Sequence, residues 1–187
     1  CAFAETASTS VDYDPVSASI DSATLYFHHD GQLHKLTGAR GTVALAMDPG
    51  TIPQYQFQFT GLYNAPTSTA DATPDFSNFQ TPLPVNNTNT TTFSLHSEDL
   101  TVISFSLDVA NNVVYRNVVG NETVEIIDRA VSGSIQFEAP AISTKNWFTT
   151  ALNSTTAALS VVHGTAAGNI VTISAPNVQV ISPTYSE

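Results

Sequence analysis

The sequence predicts a mainly β protein, a tandem, duplicated β-sandwich or barrel with one short flanking α-helix. Three observations carry that expectation. Val43, Leu45 and Met47 share one parity and Tyr55, Phe57 and Phe59 another, with Gln54, Gln56 and Gln58 interleaved; such alternation makes a strand with one apolar and one wet face. Asp48-Pro49-Gly50 between the two runs is turn chemistry, because proline presets φ and glycine accepts positive φ. Residues 41–46 are echoed by 133–138, each reading glycine, hydroxyl, β-branched apolar, variable, apolar, variable. Self-similarity of this kind marks a repeated unit. Arg40 and Arg129 precede the two copies. Upstream, 25–27 resembles 103–105, and downstream 57–61 resembles 159–164. The expected domains are 1–91 and 92–187.

The chain opens on Cys1-Ala2-Phe3 with no initiating Met. A preceding segment is expected, in preference to a mature lipoprotein acylated on Cys1. Lipoproteins tether through a polar linker, whereas Phe3 and a strand-like stretch at 10–20 follow closely here. Residues 23–37 then read as a hairpin turning at Asp30-Gly31. Its register pairs His29 with Gln32, Phe27 with His34, and Leu25 with Leu36. After the unit built on 36–63 comes a long irregular stretch, 64–91, with Pro66, Pro74, Pro82 and Pro84 and an Asn/Thr cluster. Proline at that density blocks strand ladders. Phe76, Phe79, Leu83 and Val85 within it need a surface to dock on, either the chain's own core or a neighbouring subunit.

In the second half, Phe93 and Leu95 give a short strand and 100–107 alternates. Residues 109–113 turn into a strand at 113–119, and Gly120-Asn121 turns again into 122–129. A helix is expected near 144–153, capped by Ser143 or Thr144, with Trp147, Phe148, Ala151 and Leu152 on one face. Strands at 159–162, 170–174 and 176–181 complete the chain.

Composition excludes several function classes. The 187 residues are 42% hydrophobic, enough for one or two cores. Sixteen acids against five bases give a net charge of −11, which repels nucleic acid and argues against sequence-specific DNA reading. No apolar run approaches the length of a transmembrane helix. The lone Cys1 cannot form an internal disulfide.

No nucleophile elbow, phosphate loop, dinucleotide glycine pattern or His-Glu-x-x-His is present, so neither an enzyme nor a cofactor is expected. The acids are scattered, and no carboxylate pair stands out by spacing. His29 and His34 fall diagonally on one hairpin face, but no third ligand accompanies them, and half-buried strand histidines are preferred to a metal site. Sequons at Asn86, Asn89, Asn121 and Asn153 follow from composition.

Arg40 and Arg129 stand out, since two of only five cations occupy equivalent places beside the repeated motif. They fit pairing with acids of a neighbouring subunit or with an intrachain Asp. The segments 33–41 (Leu-His-Lys-Leu-Thr-Gly-Ala-Arg-Gly), 57–66 with its Thr-Gly-Leu-Tyr-Asn-Ala-Pro, and 82–85 resemble the tail tube (major tail) proteins of long-tailed bacteriophages with flexible, non-contractile tails. So do 131–135, Glu138-Ala139-Pro140, 145–148 and 163–172, and the likeness covers essentially the whole chain. It implies a tail-tube-like fold and a virion protein made in the bacterial cytoplasm. Such a protein assembles with itself into stacked rings, meets other tail proteins at the tube ends, and lets DNA pass without sequence-specific binding. The long loop 64–91 is then the arm toward the adjacent ring. Arg40, Arg129, Phe76, Phe79 and Leu83 are the candidate inter-subunit contacts.

A duplicated tube domain lets three chains supply six sectors, so trimeric rings are expected over hexameric ones. Asp108, Glu122, Glu125 and Asp128 are candidates for the lumen wall, with plain solubility as their alternative role. The rival class is an extracellular β-sandwich binding module, an adhesin or carbohydrate binder using Trp147 or Tyr63 as a stacking platform. Trp147 is better read as the helix's core anchor, and a small secreted hydrolase is disfavoured by the missing motifs.

Overall fold

Strands hold 53% of the residues and helix 3%, as the period-two alternation requires. The structure, a computed structural model, describes residues 1–7 and 10–186. The first strands are β1 (Phe3–Ala7), β2 (Val11–Pro15), β3 (Ala23–His29), β4 (Gln32–Met47), β5 (Gln54–Tyr63) and β6 (Thr67–Ser68). After the long loop come β7 (Thr90–Leu95), β8 (Glu98–Asp99), β9 (Val102–Asp108), β10 (Asn111–Val118), β11 (Asn121–Arg129) and β12 (Ser132–Phe137). Helix α1 (Trp147–Leu152) precedes β13 (Thr156–His163) and β14 (Val171–Gln179).

The chain divides into two compact units, each threaded from three segments. Residues 1–45, 55–78 and 107–133 form the first, and 46–54, 79–106 and 134–187 the second. These bounds differ from a division at 91/92, because the chain passes from one unit to the other inside β4, β5, β9 and β12 and in the loop at 78/79. A strand of 16 residues such as β4 is about three times the usual length, long enough to serve both.

In the first unit β4 pairs with β3, β5 and β6. The β3–β4 hairpin has the expected register, Leu25 opposite Leu36, Phe27 opposite His34 and His29 opposite Gln32. Asp30 and Gly31 have φ of +46° and +72°, the doubly positive turn that matches strand twist. Glycine at position 41 is dictated by packing. A Cβ there would collide with the Gln58 carbonyl oxygen and the Phe59 ring of β5, so the two backbones approach as closely as only glycine permits. Asn111, buried at the start of β10, donates through Nδ2 to the carbonyls of Cys1 (2.9 Å) and Gly41 (3.0 Å). Its own N–H is received by Thr42 Oγ1 at 3.0 Å. Leu45 and Val109 are buried, and Val124 is only 1% exposed.

The second unit carries the sheet β14-β13-β7-β8, with Leu159 opposite Leu95 and Val161 opposite Phe93. Val161 is fully buried, with Leu95, Leu159, Phe105 and Trp147 also in the core. The Phe93 and Phe105 rings meet edge-on at 5.1 Å, and Trp147 meets Phe137 at 5.4 Å. Aromatic pairs of this geometry add about 0.5–1.5 kcal/mol beyond their burial. Trp147 is thus the core anchor that its place on the helix predicts.

Two expectations are corrected. Helix α1 is shorter than 144–153 and is capped by Asn146, whose Oδ1 accepts the Thr149 N–H at 3.0 Å. Ser143 and Thr144 lie a turn earlier, in a tight bend closed by the Thr144 N–H to the Ala141 carbonyl. Residues 176–179 are not a separate strand: β14 runs through Pro176. Its bulge against β13, between Ala157 and Leu159, absorbs the irregularity that the imide ring imposes.

Candidate assembly surfaces

The longest exposed apolar row lies on β5. Tyr55, Phe57 and Phe59 project to one side, their rings 6.2 and 6.1 Å apart in sequence order. Alternation correctly placed them on one face. That face is not a core face, for Tyr55 is exposed and Phe57 is 59% exposed, with only Phe59 half-buried. Gln54, Gln56 and Gln58 are exposed on the opposite side. Tyr63, at the strand's end, is exposed as well.

A second surface is the two-stranded ribbon β10–β11, turning at Val119-Gly120, with Gly120 at φ +85°. One face carries Val113, Tyr115, Glu122, Val124 and Ile126; Val124 is buried and Val113 and Ile126 half-buried, while Tyr115 and Glu122 nearer the turn are exposed. The other pairs Val114 with Glu125 and Asn112 with Asp128, so Glu125 and Asp128 share the outward face. Arg116, opposite Thr123 and one step nearer the turn on that face, bridges to Glu125 at 3.6 Å, both side chains about half exposed, a pairing that contributes ~0–1 kcal/mol. Glu122 accepts the hydroxyl proton of Tyr115. That bond to a carboxylate holds the Tyr115 hydroxyl above its ordinary pKa. Asp108 caps the following turn, accepting the Ala110 N–H at 2.8 Å, and Asp128 accepts the Arg129 N–H at 2.7 Å. Val119 at the ribbon's tip is wholly exposed.

The loop 64–91 divides into an exposed stretch and a fastened one. In the first unit, Asp71 Oδ1 accepts the Gly31 N–H at 3.0 Å and the Thr69 N–H reaches the Gly31 carbonyl. In the second unit, alternate residues are tied down. The Thr81 carbonyl accepts from Asn169, the Leu83 carbonyl from His163 Nε2 at 3.1 Å, and Val85 exchanges two backbone bonds with Gly50 and Thr51. Donation to Leu83 assigns the proton of neutral His163 to Nε2, leaving Nδ1 to accept from Thr90 Oγ1 at 3.0 Å. Val85 is buried and Leu83 half-buried, whereas Phe76 and Phe79 are exposed.

Arg40 and Arg129 do converge, on the connection between β2 and β3. Arg40 donates to the carbonyls of Val124 and Ile20, the latter at 2.9 Å. Arg129 donates to the Val16 carbonyl at 2.7 Å and weakly to Ser17 Oγ. The acceptors of these bonds are main-chain carbonyls and a hydroxyl. On α1, Phe148 touches Tyr185 at 5.2 Å and Leu152 is 84% exposed, so only Trp147 and, partly, Ala151 use the helix's expected inner face. His29 and His34 both lie beside the Phe27 ring, at 6.1 and 6.3 Å between centroids. Among the described residues no group of three His, Cys, Asp or Glu is placed to hold a metal ion.

Exposed apolar rows, a lone ribbon and a long fastened loop are features of a subunit. The profile of a family described as phage tail tube protein matches residues 1–187, the whole chain. The chain belongs to the phage tail tube protein family. A tail tube protein is a structural component of the virion that assembles with its own copies into the tube and meets other tail proteins. Neither a curated protein nor a solved structure matches the chain. No helix among the described residues is long and apolar enough to cross a membrane. The sequence signal that β5 lies outside the core was available: no Asp, Glu, Lys or Arg occurs between Asp48 and Asp71, so neither face of this strand bears the charges that normally mark a solvated side.

Proposed function

We propose that this tail tube protein closes into rings that stack into a hollow tube and conduct the genome during ejection. The β10–β11 ribbon is the observation that carries the reading. Open strand edges are templates for pairing, and this ribbon, which pairs with no third strand among the described residues, also has an exposed apolar tip at Val119 and a face bearing Glu125 and Asp128. Copies of the chain lying side by side would complete such ribbons and cover such tips. Asp108, Glu122, Glu125 and Asp128 line the lumen in this reading, and their like charge keeps passing DNA from adhering.

Rings of three are preferred over rings of six, since two tandem copies of a tube-type unit in each chain would let three chains supply six sectors. The tandem relation of 1–91 to 92–187 belongs to the same proposal. Phe76, Phe79 and Leu83 on the loop make the contact to the adjacent ring. Arg40 and Arg129 serve the contacts by holding residues 16–20 in place. Negative-stain microscopy of the protein tests the reading. Rings or tubes whose averages show threefold symmetry are expected. A dispersed monomer that binds glycans would replace the proposal with the binding-module class.

A further inference from the structure

We propose that the free edge of β5, with the row of Tyr55, Phe57 and Phe59 beside it, is where an edge strand of a second copy of this chain docks. The inference rests on the assembly reading above and names the surface that it uses. Three properties of β5 point there.

Its hydrogen bonds as a strand run to β4, and it pairs with no other strand among the described residues, so one row of N–H and C=O groups lacks a strand partner. The run Gln54 to Gln58 is exposed on both faces. An edge with open faces and stacked aromatic rings is the arrangement that folded proteins normally avoid or cover. Nothing within β5 blunts it, for it contains neither proline nor a charged residue. The edge strand β14, by contrast, carries Pro176, which cannot donate to a ladder.

Charge selects the occupant. The chain has a net charge of −11, so two copies repel wherever acids face each other. The stretch from Asp48 to Asp71 is uncharged between its ends, and an equally acidic copy can approach it without that penalty. The strand that docks is not β5 itself. Pairing β5 with its own counterpart makes a two-fold contact that uses both edges and leaves none to continue a ring, whereas a ring needs two different surfaces.

The experiment compares the wild-type chain with Phe57→Glu and Gln56→Glu by negative-stain microscopy and sedimentation across a concentration series. Far-ultraviolet circular dichroism and thermal melting check that each chain is folded. The first substitution buries a carboxylate among the rings at the docked edge. The second leaves the rings intact and places one on the opposite face. Either variant, folded as wild type, is expected to need about tenfold or more protein to assemble, because an unpaired charge buried at a contact costs several kcal/mol. If Phe57→Glu unfolds, Gln56→Glu alone decides. Folded variants that assemble at the wild-type concentration overturn the β5 contact and leave the assembly reading standing. A wild-type chain that forms no rings or tubes overturns the assembly reading itself.

Discussion

The Tyr115 hydroxyl donates to the Glu122 carboxylate, and that bond sets how this phenol answers to alkaline pH. Ionising the phenol would set two negative oxygens against each other, so the hydroxyl is held above its ordinary value. A raised folded-state value favours the protonated form. Its contribution is therefore complete below the unfolded tyrosine's pKa of about 10 and is lost as pH rises beyond it. Glu122→Gln should let Tyr115 ionise at lower pH, visible as an earlier rise in ultraviolet absorbance at alkaline pH. Tyr115→Phe assigns that step, and superimposable wild-type and Glu122→Gln curves would refute it. The Asp30-Gly31 turn and its register were readable from the sequence, because a two-residue hairpin fixes pairing through adjacent φ angles alone. The partners of Arg40 were not. A guanidinium donates to any carbonyl that the folded chain brings near, and Ile20 and Val124 come from 20 and 84 residues away in sequence.

At the scale of elements, Arg40 joins β4 to β11 and to the connection between β2 and β3. Arg40→Met should orphan two carbonyls that are now served by charged donors. Each part-buried carbonyl left without a partner costs about 1–3 kcal/mol, so a fall of about 2 kcal/mol or more is expected in urea unfolding of disassembled chains. Arg40→Lys should recover little of it, since one ammonium cannot span both acceptors as a planar fork does. An unchanged unfolding midpoint in Arg40→Met would remove the brace from the account. Strand existence was legible almost throughout, because β3, β4, β9 and β10 alternate in their own sequence. Three features escaped, each for a physical reason. Asn146 outcompetes the earlier hydroxyls as a cap because its side chain reaches the Thr149 N–H. Pro176 does not end β14, since an edge position spares it a lost hydrogen bond. The exposure of Phe57 depends on what covers the sheet, which alternation does not encode.

For the whole molecule, composition and fold meet in one measurable property. Copies carrying −11 each must overcome mutual repulsion before any uncharged edge can meet another. Screening shortens that repulsion, the Debye length being about 10 Å at 0.1 M salt. Raising salt from 0.05 to 0.5 M is thus expected to speed assembly and lower the protein concentration it needs, followed by light scattering. Slower assembly at high salt would mean that ion pairs between copies dominate instead. The family was legible from motifs spread along the whole chain. The threading of the two units was not, because a strand that changes unit midway looks in sequence like any other strand. That threading bears on biosynthesis. The first unit lacks its last segment until residue 133 has left the ribosome, and the second waits for β13 and β14. A translation product that stops short of residue 133 therefore holds neither unit whole.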